Sequence, residues 1–467
     1  MLDAALLDRL IKAYDVRGVV PDDLSPEIAR LVGAAFVRVL GVATSDGGPG
    51  TVVVARDMRP SGPELVAAFS EGVTAQGVDV LLIGLASTDQ LYYAAGSLHL
   101  PGAMFTASHN PAQYNGIKLC RAGASPVGQD TGLAEIKRLV LEWSGTGVPE
   151  VDGPPGTVTE RDLLVDYAAF LNALVPLGAS RHLDVVVDAG NGMGGHTVPA
   201  VLAGLPLTIT PLYFELDGTF PHHEANPIDP ENLRDLQAKV IETGADLGLA
   251  FDGDADRCFV VDEKGDIVDP STLTALIAVR ELGKHPGSVI IHNLITSVAV
   301  PEIVLEHGGV PERTRVGHSF IKARMAETGA VFGGEHSGHF YFRDFWRADS
   351  GMLAALHTLA ALGETPPGTT LSSLLAQYSR YSASGEINTT VADQTAVVAQ
   401  IKAEYGAREG VTLDELDGLT VSGDGWWFNV RPSNTEPLLR LNAEGKDAAL
   451  MESVRDDALA IIRGGNA

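Results

Sequence analysis

From Thr51 the chain reads TVVVARDMRPSGPELVAAFSEGVTAQGVDVLLIG, a β-branched run, a polar turn, an amphipathic segment and a second apolar run from Val78 to Ile83. That order predicts strand, helix, strand. The same grammar returns at LDVVVDAGNGMGG (Leu183 to Gly195), at ADLGLAFDGDADRCFVVD (Ala245 to Asp262) and at SVIIHNLITS (Ser288 to Ser297). Apolar runs without polar alternation, each followed by a glycine or polar loop, suit strands covered on both faces by helices, so several α/β units are expected. Ligands commonly bind beyond the carboxyl ends of such strands, and several domains could each deliver one loop to a shared cleft.

Three breaks divide this pattern. The stretch SGTGVPEVDGPPGT, Ser144 to Thr157, is rich in Gly and Pro and has no apolar periodicity. KGDIVDP turns the chain after Asp262, before the helical run STLTALIAVREL, and ALGETPPGTTLSSLLAQYSR follows the helix SGMLAALHTLAAL. The remainder holds a strand at LLRLNAE and a closing amphipathic helix, DAALMESVRDDALAIIRG. Four parts result: 1–153, 154–262, 263–372 and 373–467, one more than 467 residues predict at about 150 per domain. No short repeat suggests a solenoid.

Composition narrows the partners. With 33 Lys plus Arg against 60 Asp plus Glu the formal charge is −27, on a chain that is 45% hydrophobic and therefore folded rather than a solvating acidic tail. Such a surface repels phosphate backbones and anionic lipid, which argues against nucleic acid and polybasic membrane binding. A small anion could still bind where arginines, lysines, backbone amides or a cation overcome the global field. Cys120 and Cys258 show no C-x-x-C spacing, which fits a reducing, cytoplasmic compartment. Asp3, Asp8 and Arg9 interrupt any signal-peptide core. The long uncharged stretch Ala189 to Phe214 is broken by glycines and prolines and reads as loop, short helix and strand, not as a membrane span.

Four motifs carry chemistry. DGDADR places Asp252, Asp254 and Asp256 at alternate positions after the apolar run LGLAF. Three carboxylates so close repel one another, and a hard cation such as Mg²⁺ would neutralise them with oxygen ligands. The plain alternative is a solvated acidic turn; an EF-hand is disfavoured because no glutamate completes a twelve-residue loop. TASHNPAQYNGIKL offers Ser108 as an alcohol nucleophile beside His109, with Lys118 to balance phosphate, or else an ordinary Asn110–Pro111 turn. VFGGEHSGHFYFRDF alternates Glu335, Ser337 and His339, which on one side of an extended segment would offer a sugar's hydroxyls paired acceptors and donors. His339 could also move a proton near neutral pH. The competing reading is a polar strand end with aromatic packing from Phe340 to Trp346. WFNVRPSNTEPLLRLN sets Arg431, Ser433, Asn434 and Thr435 around a turn between two strands, a phosphate cradle or a generic polar hairpin. Near the amino terminus AYDVRG adds Tyr14 and Arg17.

TASHNP, DGDADR, GEHSGH and RPSNTEP, in that order along nearly the whole chain, together resemble the α-D-phosphohexomutase superfamily, and within it the bacterial phosphomannomutase/phosphoglucomutase group. The resemblance implies a four-domain, heart-shaped fold, with three related α/β domains and an α+β C-terminal domain. It implies that Ser108 is the phosphoserine, that Asp252, Asp254 and Asp256 bind Mg²⁺ with it, and that Glu335, Ser337 and His339 recognise the sugar. Arg431, Ser433, Asn434 and Thr435 would hold the phosphate that is not transferred. Tyr14, Arg17, His109, Lys118, Arg257, His318 and Lys322 fall in other segments that resemble cleft-facing parts of the family, with His109, Lys118 and His339 as candidates for proton transfer. One departure is HNLITSVAVPE, where Asn293, Thr296 and Ser297 stand in a segment more basic in the family, which casts doubt on phosphate contacts there.

The implied reaction passes the phosphoryl group of Ser108 to a hexose 1- or 6-phosphate and takes the other phosphate back after the 1,6-bisphosphohexose turns over. A hexose 1,6-bisphosphate would also serve as activator. The expected substrates are mannose phosphates and also glucose phosphates, the expected state a monomer or homodimer. A phosphoglucosamine mutase is the near rival. A Mg²⁺-dependent sugar phosphatase and a non-catalytic sugar phosphate sensor are rivals of other classes.

Overall fold

The computed structural model describes residues 2–42, 50–433 and 438–464, without the side chains of His318 and Ser319; Asn434 and Thr435 lie outside the described residues. The chain divides into two compact units, Met1–Asp269 with Ser337–Leu374, and Pro270–His336 with Leu375–Ala467.

In the first unit a six-stranded sheet contains β1 (Val16–Val19), β2 (Thr51–Arg56), β3 (Asp79–Leu85), β4 (Gly102–Phe105), β5 (Tyr114–Cys120) and β6 (Val158–Glu160), in the order β1-β5-β4-β2-β3-β6. The parallel pair β2-β3 with the helix Gly62–Thr74 between them is the strand, helix, strand pattern read from Thr51. Strand β4 lies parallel on the other side of β2, and the four central residues of β2 are buried, as a strand covered on both faces requires. Strand β5 returns antiparallel to β4, so the connection between them, residues 106–113, carries the TASHNP motif. A second sheet holds β7 (Leu183–Asp188), β8 (Leu207–Leu212), β9 (Leu247–Phe251), β10 (Cys258–Asp262) and β11 (Ile267–Val268), in the order β11-β10-β9-β7-β8. Strands β9 and β10 are wholly buried and pair antiparallel with Phe251 opposite Cys258, which leaves DGDADR as the tight connection between them. The uncharged stretch from Ala189 resolves into a loop, the helix Gly194–Val201 and β8, as its glycines and prolines foretold. Among the described residues no helix is long and apolar enough to cross a membrane.

The segment from Ser337 adds the antiparallel pair Phe340–Phe342 and Ala348–Asp349, and then the helix Gly351–Gly363, buried at every position. Its aromatic residues do pack as a core: Trp346 stacks on Phe170 with ring centroids 5.2 Å apart and meets Tyr93 edge-on at 6.2 Å. Alternation nevertheless misleads just before it. The preceding strand ends at Gly334 and a turn follows at His336 and Ser337, with Gly338 at φ +81°, so Glu335, Ser337 and His339 do not line one side of an extended segment. A short polar run closed by Gly338 interrupts the strand where period-two counting assumed it continued.

Asp89 ties three distant segments together. Fully buried, it accepts hydrogen bonds from the hydroxyls of Ser87, Tyr167 (2.8 Å) and Ser350 (2.6 Å), while Ser350 also caps the helix Gly351–Gly363 by accepting from the Leu353 amide. Burial raises its pKa from an ordinary 3.8 to about 6, against the lowering effect of the three hydroxyls. The folded state therefore holds this proton more tightly than the unfolded chain does, and its contribution to stability is lost as pH rises through 6. Asp89→Asn removes the titration. Between pH 5 and 7 the wild type is expected to lose about 1 kcal/mol relative to the variant. Urea unfolding of both proteins across that range checks it, and a difference flat with pH would contradict the shift.

In the second unit the strand Val289–Asn293 lies parallel to both Val310–Thr314 and Phe332–Gly334, with the helices Pro270–Lys284 and Ala299–Glu306 in the same part of the chain. From Ser382 the architecture changes to a five-stranded antiparallel sheet, ordered Ser382–Thr390, Leu438–Gly445, Trp426–Pro432, Leu419–Gly423, Thr412–Asp414. It shares its core with the helices Gln394–Gly406 and Ala448–Gly464 through Tyr405, Phe428, Leu441 and Ile462. Three α/β parts and an α+β part are thus present in chain order.

Candidate active site

The aspartate loop is built by backbone that comes unusually close. A Cβ on Gly253 would lie 2.4 Å from the carbonyl oxygen of Ser108, so only glycine lets the two loops meet. The glycine-rich loop after β7 supports this contact from below: the Met193 amide donates to the Gly253 carbonyl at 2.9 Å. GNGMGG therefore holds the aspartate loop, and its glycines serve backbone packing.

All three aspartates are buried, and their oxygens are unequally occupied. Asp252 Oδ2 accepts from Ser108 Oγ at 2.8 Å and from Arg257 Nε at 2.8 Å. Lys118 Nζ donates to Asp254 Oδ2 at 2.7 Å and to Asp256 Oδ2 at 2.6 Å, and Thr88 Oγ1 adds a bond to Asp254 Oδ2 at 2.6 Å. Oδ1 of Asp254 and Oδ1 of Asp256 are buried without a hydrogen-bond partner. One ligand atom from each of the three aspartates lies within 4.8 Å of the others, and a second such group is Asp256, His339 and Asp349. Unsatisfied carboxylate oxygens in a buried all-oxygen cluster suit a hard divalent cation. Mutual repulsion shows in their titration. Burial raises Asp252 despite Arg257, burial and Asp254 raise Asp256 well above the usual range, and Asp254 alone is held below it, because Lys118, Thr88 and Arg257 outweigh its burial.

Ser108 sits at the crest of the β4–β5 connection in the left-handed region, φ +50°, its amide bonded to Thr106 Oγ1 at 2.8 Å. Arg257, itself buried, reaches over it: Nη2 is 3.2 Å from Ser108 Oγ and 2.5 Å from His109 Nδ1. Burial, Arg257 and Arg17 depress the His109 pKa to about 2, so its imidazole is neutral and accepts a hydrogen bond from the Arg257 guanidinium. Lys118 is the reverse: burial would lower its pKa, but Asp254 and Asp256 raise it well above the ordinary value and keep it an ammonium. His339 Nε2 stands 3.8 Å from Asp256 Oδ1, and its Nδ1 is 3.1 Å from Ser337 Oγ. Arg17 spans Asp15 and the side chain of Asn110, at 2.6 Å each, and Tyr14 is exposed at the same end of the chain. Ser108, His109, Lys118, the three aspartates, Arg257 and His339 thus form one cluster of the first unit.

The remaining sequence candidates belong to the second unit. The buried carboxylate of Glu335 accepts from the Gly317 amide at 3.2 Å and from Asn293 Nδ2 at 3.4 Å. Asn293 also contacts His336 Nδ1 at 3.3 Å, and burial with Arg431 and Arg440 lowers the His336 pKa to about 3. Arg431 lies 3.7 Å from Glu386 and 3.8 Å from Asp417, and Lys322 is buried. Ser433 donates its amide to the Leu438 carbonyl at 2.9 Å, between the two strands expected around it. The departing segment after Asn293 spends its polar groups within the protein: Thr296 Oγ1 bonds to Asn293 and Ser297 Oγ to Glu444.

Two contributors to the first cluster escaped the sequence reading. Thr88 opens the helix Thr88–Ser97 and belongs to no motif, and Arg59 lies in RDMRPSG, which reads as a polar turn. The only signal for Arg59 was its spacing from Asp57 directly after a buried strand, which is too common to single out.

A serine hydroxyl set on clustered, cation-ready aspartates, in a chain of three α/β parts and one α+β part, is the layout of an enzyme that shuttles phosphoryl groups through its own alcohol. Models of the phosphoglucomutase/phosphomannomutase alpha/beta/alpha domains I, II and III match residues 8–145, 165–265 and 269–381, and that of the C-terminal domain matches 386–461. The chain belongs to this family, within the α-D-phosphohexomutase superfamily, and is an isomerase of the phosphotransferase type. It is 39% identical over 459 residues to a phosphomannomutase of Salmonella montevideo, covering 97% of this chain and 98% of that one. A protein of Xanthomonas campestris named phosphohexose mutases is 40% identical over 461 residues, 97% of this chain and 99% of its own. The crystal structure of a phosphoglucomutase/phosphomannomutase family protein from Burkholderia thailandensis superposes with a TM-score of 0.87 at 32% identity, covering 100% of this chain and 99% of that one.

Proposed function

We propose that the protein interconverts mannose 1-phosphate and mannose 6-phosphate, and likewise the two glucose phosphates, through a phosphorylated Ser108 and a 1,6-bisphosphohexose. The observation that carries this reading is the bond from Ser108 Oγ to Asp252 beside the unsatisfied oxygens of Asp254 and Asp256, in a chain similar over its whole length to phosphomannomutases. Four domains, 1–153, 154–262, 263–372 and 373–467, belong to the reading, as do a cytoplasmic location and a monomer or homodimer.

Asp252, Asp254 and Asp256, with the Ser108 phosphate, would hold Mg²⁺, which when bound supplies electrophilic stabilisation of the phosphoryl oxygens. Arg257 steadies Ser108 and carries charge toward the transferring group, while Lys118 stays an ammonium and balances the carboxylates. His109 is too weakly basic to take a proton and its Nδ1 is engaged by Arg257, so the hydroxyl proton is assigned to His339, whose Nε2 faces Asp256. The P–Oγ bond of phosphoserine breaks as the sugar hydroxyl oxygen bonds to phosphorus. The hydroxyl proton passes to His339, and the departing Ser108 Oγ, beside Asp252 and Arg257, takes up one proton in exchange and is restored as the hydroxyl. The reverse step on the other phosphate regenerates phosphoserine. Glu335 and Ser337 serve the sugar hydroxyls. Tyr14, Arg17, His318, Lys322, Arg431, Ser433, Asn434 and Thr435 serve the phosphate and sugar ends.

The test is a coupled assay on mannose 1-phosphate, glucose 1-phosphate and glucosamine 1-phosphate with a hexose 1,6-bisphosphate activator, free phosphate being measured separately. Equimolar hexose 6-phosphate from the two neutral sugars is expected. Turnover of the amino sugar alone would make the protein a phosphoglucosamine mutase, and stoichiometric free phosphate would make it a phosphatase.

A further inference from the structure

We propose that Arg59 is a positioning residue for phosphoryl transfer, holding the Ser108 loop in its working conformation; this rests on Ser108 being the phosphoryl donor. Arg59 has no solvent exposure, and its guanidinium spends every N–H inside the protein. Nε donates to Asp57 Oδ2 at 3.2 Å. Nη1 donates to the carbonyls of Pro111 (2.8 Å) and Tyr114 (2.9 Å), and Nη2 to those of Ser108 (3.0 Å) and Asn110 (2.6 Å). One side chain thus gathers four carbonyls from a seven-residue span that otherwise has little regular structure. Asp57 in turn fixes Arg59 by accepting its amide at 2.9 Å, and the Phe220 ring covers the guanidinium carbon at 5.1 Å.

The clamp matters because of where Ser108 sits. A left-handed conformation at a non-glycine residue costs about 1–2 kcal/mol and persists only when the surroundings impose it. The Ser108 carbonyl is held by Arg59 on one side while its Oγ is turned to Asp252 on the other, so the anchored peptide sets the aim of the hydroxyl. Transfer between a serine oxygen and a sugar hydroxyl needs in-line alignment, and a misplacement of about 1 Å costs about 10²-fold. The hydrogen bonds of the Arg59 guanidinium go to Asp57 and to the Ser108 loop, and it reaches Arg17 through Asn110, so its loss acts chiefly on the chemical step. Lysine preserves the charge facing Asp57, but a single ammonium cannot span carbonyls that a planar fork reaches.

The experiment compares wild type with Arg59→Lys and Asp57→Asn. It reads kcat and KM per folded molecule, the rate at which a hexose 1,6-bisphosphate phosphorylates Ser108 by intact mass, and amide hydrogen exchange. For R59K we expect kcat and the phosphorylation rate to fall together by about 10²-fold, with KM within about threefold and faster exchange confined to residues 107–116. For D57N the same signature is expected at about tenfold. The proposal is overturned if folded R59K keeps its kcat, if KM rises while kcat holds, or if exchange quickens across the whole first unit and activity tracks only the folded fraction. Should R59K fail to fold, D57N decides by the same readings, an unchanged kcat counting against the clamp. Ser108→Ala run alongside separates the two claims. Retained turnover in S108A defeats the donor assignment itself, whereas an inactive S108A with a fully active R59K defeats only the positioning role.

Discussion

Ser108→Ala is expected to lower mutase turnover by at least about 10⁴-fold while the protein stays folded. The variant removes the only hydroxyl bonded to the aspartate cluster from this loop: Thr106 Oγ1 is turned to the Ser108 amide, and its side chain is fully buried. Nothing else there can take its place as phosphoryl carrier. Stability should change little, since Arg257 keeps its 2.8 Å ion pair with Asp252 and alanine tolerates the backbone conformation no worse than serine. The coupled assay gives the first quantity, a thermal melt the second. Intact mass spectrometry after incubation with a hexose bisphosphate gives a third, a phosphoryl adduct on wild type and none on the variant. An active S108A protein would remove the phosphoserine from the reaction.

Asp254→Asn should produce the next largest loss, and in a different currency of measurement. The side chain keeps its size, yet the group loses its charge. Its amide nitrogen, itself a donor, cannot accept from Lys118 and Thr88, so the single amide oxygen must serve either them or the metal side of the cluster. The magnesium concentration for half-activation is expected to rise at least about tenfold, with turnover at saturating metal down about 10²-fold. A titration of activity against magnesium, paired with direct binding of manganese followed by its spin-resonance signal, measures both. Identical half-activation in the two proteins would take Asp254 out of the ligand set.

Much of the first cluster was legible because its residues follow strands whose sequences are unambiguous. LGLAF and CFVVD are wholly buried, so the six residues between them had to form a short connecting loop, and their alternating carboxylates are too costly to bring together without a cation. Ser108 stood out by the company of His109, Asn110 and Lys118 in its motif, whereas the strands β4 and β5 that flank it emerge from the structure. Period-two counting failed at Glu335 to His339, where glycine turns the chain, because alternation describes a strand only while the strand lasts. The clamp by Arg59 and the bond from Thr88 were invisible for another reason. Each joins residues separated along the chain by about fifty positions or far more, Arg59 to Ser108 and Thr88 to Asp254, and no local pattern records which carbonyl or carboxylate a side chain will meet. GNGMGG, read only as a glycine loop after a strand, is spent on backbone packing against Gly253.

The first unit is discontinuous: residues 1–269 are completed by 337–374, with Asp89 bonded both to Tyr167 and to Ser350. A polypeptide emerging from the ribosome therefore makes Ser108 and the aspartates early, yet lacks His339 and the carboxyl-side partner of Asp89 until the intervening segment of the second unit has also been synthesised. Contacts of such long sequence separation close late, so the nascent chain carries a buried-acid site with part of its wall missing for the time taken to add those residues. The order of synthesis, rather than any contact in the finished protein, sets how long this unit stays half built.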